Sequence, residues 1–195
     1  MSAYKYPEDE LPKGCFFIPT LLRKMIDLIL VRQMKKLPIT FALISSFLCS
    51  FVQADTLTGN VVRIIDGDTL VVLDASKVQY KIRLVGIDAP EKKQAYGRKS
   101  KDNLSSLVAG KYVVVDYSKL DRYQRIIGKI LLSGKDMNLE QIASGMAWHY
   151  KKYQGEQSQA DRLKYSEAEI DARNAKRGLW NDPEPIPPWD YRKKN

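Results

Sequence analysis

Six side chains in this sequence have the types and spacing to do chemistry together. Asp66 and Asp68 flank Gly67, Asp88 and Glu91 stand three positions apart, Arg83 precedes Asp88 by five, and Arg125 closes the segment Asp121-Arg122-Tyr123-Gln124-Arg125. Four carboxylates gathered in one cleft repel one another, so they must shift their protons or take up a cation. An all-oxygen set without Cys or His suits a hard ion, calcium or magnesium. A guanidinium keeps its proton and can bind two phosphate oxygens at once, so two arginines facing such a cation make a clamp for a phosphodiester. Taken singly, Asp66-Gly67-Asp68 reads as turn chemistry and Asp88-Ala89-Pro90-Glu91 as the start of a helix. Only convergence gives them a shared role. Arg122 is expected in an exposed salt bridge.

The elements around these residues explain how they could converge. Stretches 58–65 and 70–73 are rich in β-branched residues and flank Asp66-Gly67, a pair that favours a hairpin. Residues 78–85 alternate Val78, Tyr80, Ile82 and Leu84 against Gln79, Lys81 and Arg83, the period of a half-buried strand. In such a three-stranded meander, the first turn and the exit of the third strand lie at the same end of the sheet, which brings the four carboxylates to one place. A helix is expected over 95–108, with Leu104, Leu107 and Val108 on one face and Gly110 beyond its end. Strands over 111–117 and 126–132 follow, the second closed by Ser133-Gly134-Lys135-Asp136. Asn138 and Gln141 have the spacing of a capping box for a short helix. A last helix over 158–175 places Tyr165, Ala168, Ala172 and Ala175 on one face, with Gly178 as a stop. The expected fold is α+β, a five-stranded OB-fold barrel with three helices. The proline-rich stretch 181–189 is expected to run over the surface without forming a helix.

The front of the chain differs from the rest. Met34-Lys35-Lys36 precedes an uncharged, largely apolar run over 37–52, and Gln53-Ala54 stands before Asp55. A bilayer core needs about 20 apolar residues in a helix, and this run is shorter. With Val52 and Ala54 at the −3 and −1 positions, 34–54 reads as a secretory signal peptide cleaved after Ala54. The domains expected are an extension or mis-assigned start over 1–33, the signal peptide over 34–54, one domain over 55–181, and a proline-rich, basic tail over 182–195. The product is expected to be secreted or periplasmic, monomeric, and without stable membrane association once cleaved. Both cysteines, Cys15 and Cys49, fall in the removed part, which excludes disulfide, thiol and thiolate-metal chemistry in the remainder. The whole chain carries a formal net charge of +9. That balance favours a polyanionic partner without identifying one. His149 is the sole histidine and lies outside the carboxylate motifs, so it is read as structural or surface-exposed. Trp148 and Trp180 are read as core residues.

Three runs, Ile65-Asp66-Gly67-Asp68-Thr69, the stretch from Ile82 through Arg83 to Asp88-Ala89-Pro90-Glu91, and Asp121-Arg122-Tyr123-Gln124-Arg125, resemble the staphylococcal nuclease family in order and spacing. The likeness continues through Gly145-Met146-Ala147-Trp148 to Arg177-Gly178-Leu179-Trp180. It implies an OB-fold barrel with three helices and a Ca2+-dependent endonuclease acting on DNA and RNA, leaving 3′-phosphates and 5′-hydroxyls. Asp68, Asp88 and the backbone carbonyl of Ala89 match metal ligands, and Asp66 matches an outer-shell carboxylate. Glu91 matches the residue that orients or deprotonates water, and Arg83 and Arg125 match the arginines on the scissile phosphate. Tyr153 aligns with an aromatic residue near the substrate. Ala89 replaces a Thr and Gln124 a Gly of the family's best-known member, departures expected to change rate and not function. The alternative is a noncatalytic nucleic-acid-binding OB-fold module, which would be expected to have lost one of the six chemical side chains.

Overall fold

The computed structural model describes residues 55–194. The barrel begins with the long strand β1 (Asp55–Ile64), which pairs antiparallel with β5 (Tyr112–Leu120) along its first half and with β2 (Thr69–Leu73) along its second. A strand that serves two neighbours must bend, and its register shifts between Val61 and Arg63. β2 pairs antiparallel with β3 (Gln79–Leu84), and β5 with β6 (Ile126–Leu132). The cylinder closes where Ile82, Arg83 and Leu84 of β3 meet Ile126, Ile127 and Gly128 of β6. That closing pair is parallel, while the other strand pairs of the barrel are antiparallel. The order is therefore β3-β2-β1-β5-β6, with the two-residue β7 (Lys135–Asp136) appended to β6. Closure is what joins Arg83 and Leu84 to the strand that follows Arg125.

Alternating apolar residues of these strands fill the barrel. Val61, Leu70, Val72, Ile82, Leu84, Val113, Val115 and Ile130 are buried together with Leu104 of α1 (Gly97–Val108), Ile142 of α2 (Met137–Ala143) and Tyr165 of α3 (Gln159–Asn174). The α1 and α3 boundaries agree closely with the expected spans. Ser158 caps α3, its hydroxyl accepting from the Asp161 N–H. Ala175 is exposed, while Glu169 is buried on the face the periodicity assigned to apolar residues. A smaller cluster of Trp148, Ala172, Leu179 and Trp180 packs beside the barrel, so both tryptophans are core residues as expected. Two short strands, β4 (Ile87–Asp88) and β8 (Trp148–His149), pair antiparallel there.

Two local readings need correction. Asp136, not Asn138, caps α2, and its carboxylate accepts from the N–H groups of Asn138 and Leu139. Asn138 and Gln141 are instead fully buried and bonded to distant backbone. The stretch 181–189 also does not stay irregular to its end, because Pro188 opens a short helix, α4 (Pro188–Lys194). Proline is excluded from helix interiors but accommodated at the first helical position, where its missing N–H is not needed. Among the described residues, no helix is long and apolar enough to cross a membrane. The expected signal peptide and residues 1–33 lie outside the described residues.

Candidate active site

The turn between β1 and β2 is built from its own acids. The Asp68 N–H donates to Asp66 Oδ1 at 3.1 Å, and the Ile65 N–H to the Thr69 carbonyl at 2.9 Å, which closes the loop. Gly67 sits where a Cβ would come within 1.9 Å of Ser100 Oγ, so only glycine lets the turn lie this close to α1. Gln141 Nε2 donates to the Gly67 carbonyl at 2.7 Å and ties the turn to α2. The β2–β3 ladder sets Thr69 opposite Arg83, and the Leu84 N–H donates to the Asp68 carbonyl at 2.8 Å. Asp68 therefore reaches the exit of β3 by register alone.

After β3, Gly86 at φ 76° turns the chain into β4, whose pairing with β8 fixes Asp88 opposite Trp148. Arg83 then links the two buried carboxylates: its Nη1 lies 3.1 Å from Asp68 Oδ2 and its Nη2 2.9 Å from Asp88 Oδ1. The Ala89 N–H also donates to Asp68 Oδ2, at 2.6 Å. Asp88 is 0% exposed and Asp68 7%. Burial, reinforced by Asp66 and Asp88, pushes the Asp68 carboxyl up from 3.8 to about 7, against the pull of Arg83 and the Ala89 N–H. A cation bound here would favour the ionised carboxylate that burial disfavours.

Arg125 is presented by a tight turn. The Asp121 carboxylate accepts from the N–H groups of Tyr123 and Arg125 and from Arg125 Nε, the last at 2.7 Å. Burial opposes ionisation of Asp121, but those hydrogen bonds hold it below the usual carboxylate range. Gln124 adopts φ 59°, the left-handed conformation a glycine would take freely, so the turn keeps its shape with a side chain in place. Arg122 lies over the Tyr123 ring, 4.8 Å from its centroid, and so makes an aromatic contact where a salt bridge was expected.

A cleft of about 820 Å³ brings together Asp66, Asp68, Arg83, Asp88, Ala89, Glu91, Arg125 and Tyr153. All the sequence-derived candidates thus line one cavity, but they do not form a four-carboxylate cage. Asp66 is engaged in its own turn, Glu91 stands at the rim with its side chain 40% exposed, and Asp68 and Asp88 form the buried pair. Among the described residues no three acidic, His or Cys side chains are grouped as metal ligands. The two buried carboxylates, joined by Arg83 and flanked by the Ala89 backbone, still offer the oxygen donors that a hard ion takes, with water to complete its shell. Tyr153 packs edge-on against Tyr150, with centroids 5.0 Å apart, and Lys152 Nζ lies 5.6 Å from its ring centre. Lys151 turns away to pair with the buried Glu169 at 2.5 Å, so of the two lysines only Lys152 lines the cleft.

Sequence reasoning missed two contributors. One is Gln141, whose side chain was read as a local cap. The other is Arg192 of α4, whose guanidinium lies 2.8 Å from Asp88 Oδ2 and 2.7 Å from Glu91 Oε1. In the sequence Arg192 is simply the first member of a basic terminal run, with no spacing that links it to acids a hundred positions earlier. His149 is buried away from the cleft, its Nε2 3.0 Å from Gln157 Oε1.

A family model described as staphylococcal nuclease homologue matches residues 81–182. The chain is 47% identical over 135 residues to an uncharacterized endonuclease of Escherichia coli, spanning 69% of this chain and 84% of that protein. This chain belongs to the staphylococcal nuclease homologue family. An uncharacterized endonuclease of Haemophilus influenzae is 38% identical over 160 residues, covering 82% of this chain and 86% of its own length. A micrococcal nuclease of Shigella flexneri is 36% identical over 144 residues, covering 69% and 80%. Membership agrees with the closed five-stranded barrel and its helices, and it marks the chain as a nuclease that works on nucleic acid.

Proposed function

We propose that this nuclease is a secreted or periplasmic, Ca2+-dependent endonuclease that hydrolyses DNA and RNA to 3′-phosphate and 5′-hydroxyl ends. The observation that carries the reading is the Arg83 bridge between buried Asp68 and Asp88 at the floor of a cleft whose rim holds Glu91 and Arg125. Asp68, Asp88 and the Ala89 carbonyl would hold the cation, with Asp66 acting on it through water. A bound divalent cation supplies positive charge against the phosphoryl oxygens as charge builds on them. The remaining work belongs to the chain. Arg83, anchored by two carboxylates and the Leu84 carbonyl, offers a fixed guanidinium to a phosphate. Arg125, lining the cleft and held through Nε by Asp121, exchanges part of that contact for the scissile phosphate. Glu91 is exposed enough to touch water, and it orients that water or takes its proton as the water oxygen attacks phosphorus, the bond to the 5′ oxygen breaks, and that oxygen takes a proton from solvent to leave as the hydroxyl. Tyr153, which also lines the cleft, supports the substrate. Export rests on the 34–54 leader pattern.

The competing reading is a nucleic-acid-binding barrel without catalysis. All six chemical side chains are retained and line one cleft, which supports the enzyme. Glu91→Gln separates the two: it removes the base and keeps the shape. Turnover on single-stranded DNA should fall about 10²- to 10⁴-fold with the melting temperature unchanged. A wild-type protein that binds DNA without cleaving it, or a Glu91→Gln variant of normal rate, would refute the proposal.

A further inference from the structure

The C-terminal segment enters the active cleft. Its approach is built from specific contacts: Gln94 Nε2 donates to the Ile186 carbonyl at 2.6 Å, Pro188 is buried, and the Trp189 ring stacks on Tyr150 at 5.3 Å and 6° while meeting Trp148 edge-on at 5.5 Å. A helix of seven residues is too short to be stable on its own, so α4 is held by these contacts. Arg192 lies three residues after Trp189, on the same side of the helix, and is delivered to the acids as a result. Its Nη2 donates to Asp88 Oδ2 at 2.8 Å, and its Nη1 to Asp88 Oδ1 at 3.2 Å and to Glu91 Oε1 at 2.7 Å. Both oxygens of the buried Asp88 are thereby occupied by guanidinium groups, Oδ1 by Arg83 and Arg192 and Oδ2 by Arg192.

We propose that Arg192 is a resident cation of the active site, a positioning residue that holds Asp88 and Glu91 together and must give up Asp88 when a divalent ion binds. This rests on the reading of Asp88 as a metal ligand. Arg83 lies on a barrel strand with its side chain largely buried, whereas the Arg192 side chain is 41% exposed on a terminal helix. Arg192 is therefore the group that yields, and it can do so by swinging its side chain while Trp189 stays stacked. Metal binding becomes an exchange of one cation for another, which lowers apparent affinity and keeps the acids from repelling one another before the ion arrives.

The test is calorimetric titration of calcium chloride into the full chain and three variants, with melting temperature in chelator as the check of folding. Arg192→Ala should bind calcium about tenfold more tightly than wild type, the size of one lost charge-assisted contact. Trp189→Ala, which undocks the helix, should shift affinity in the same direction. Lys193→Ala removes the same charge from the same helix, but Lys193 pairs with Asp190 and not with Asp88, so its affinity should stay within about twofold of wild type. Equal or weaker binding by Arg192→Ala, or an equal gain in Lys193→Ala, overturns the exchange while leaving the metal assignment standing. Absence of calcium binding in every protein overturns both.

Discussion

Replacing Gln141 by Met should damage the active-site turn from a distance. Met nearly matches Gln in volume but can neither donate nor accept at the same points. Gln141 is fully buried, and its amide donates to the Gly67 carbonyl at 2.7 Å and the Ser100 carbonyl at 3.2 Å while accepting from Asn103 Nδ2. The Gly67 carbonyl lies in the buried turn between Asp66 and Asp68 and would lose this donor. An unsatisfied buried acceptor costs about 1–3 kcal/mol, and the lost bond to Asn103 adds about 1 kcal/mol, so the expected destabilisation is about 2–4 kcal/mol. For a domain of this size that is a fall in melting temperature on the order of 6–12 °C. Thermal melts followed by circular dichroism in chelator measure it directly. Calcium titration of the folded variant should also show weakened binding, because the loop that aims Asp68 has lost its tether. A loss below about 0.5 kcal/mol would mean that the turn holds itself, and the argument that α2 positions the site would be wrong.

Other consequences are quicker to state. Gln124→Gly should leave stability within about 0.5 kcal/mol, because relief of the left-handed backbone is offset by the greater freedom of glycine in the unfolded chain. Gln124→Val, with a branched Cβ at φ 59°, should cost about 1–2 kcal/mol and slow cleavage by re-aiming Arg125; equal rates for both variants would show that the turn does not control that arginine. Burial holds the His149 pKa below 6.5, although Gln157 and Glu169 pull it upward. The unfolded chain then binds the extra proton first, so this contribution to stability is complete above about pH 6.5 and is lost as pH falls toward the lowered folded value. Denaturant melts at pH 7.5 and 5.5 should show a stability loss in acid that is smaller in His149→Gln; identical losses would contradict it.

What could be read from the sequence was whatever is encoded locally or by strand register. Asp66-Gly67 flanked by β-branched runs announced the hairpin, and the meander it implies put Asp68 beside the exit of β3, where the Thr69–Arg83 pairing has it. The period-2 pattern of 78–85 and the helix over 158–175 were legible for the same reason. What escaped depends on partners far along the chain. Asn138 and Gln141 have capping-box spacing, but Asp136 two positions earlier forms the cap, which frees both amides for buried backbone of other elements. Glu169 shares a face with the apolar residues of its helix, and what lets a carboxylate be buried there is the Lys151 ammonium and the His149 N–H placed against it, neither of which the helix period shows. Arg192 required knowing that Trp189 would stack on Tyr150, a contact with no sequence period at all. The four carboxylates do line one cleft, but the sequence did not show that the Asp68 N–H would claim Asp66 or that Glu91 would stay at the rim.

The measurement that bears most directly on the central claim is digestion of single-stranded DNA and RNA by the purified protein with calcium, then with excess chelator, then with calcium restored. Under the proposed mechanism, in which Asp68 and Asp88 hold a hard cation while the two arginines act on the phosphate, cleavage should proceed, stop and resume, leaving 3′-phosphate ends. Undiminished cleavage in chelator would contradict the account at its root.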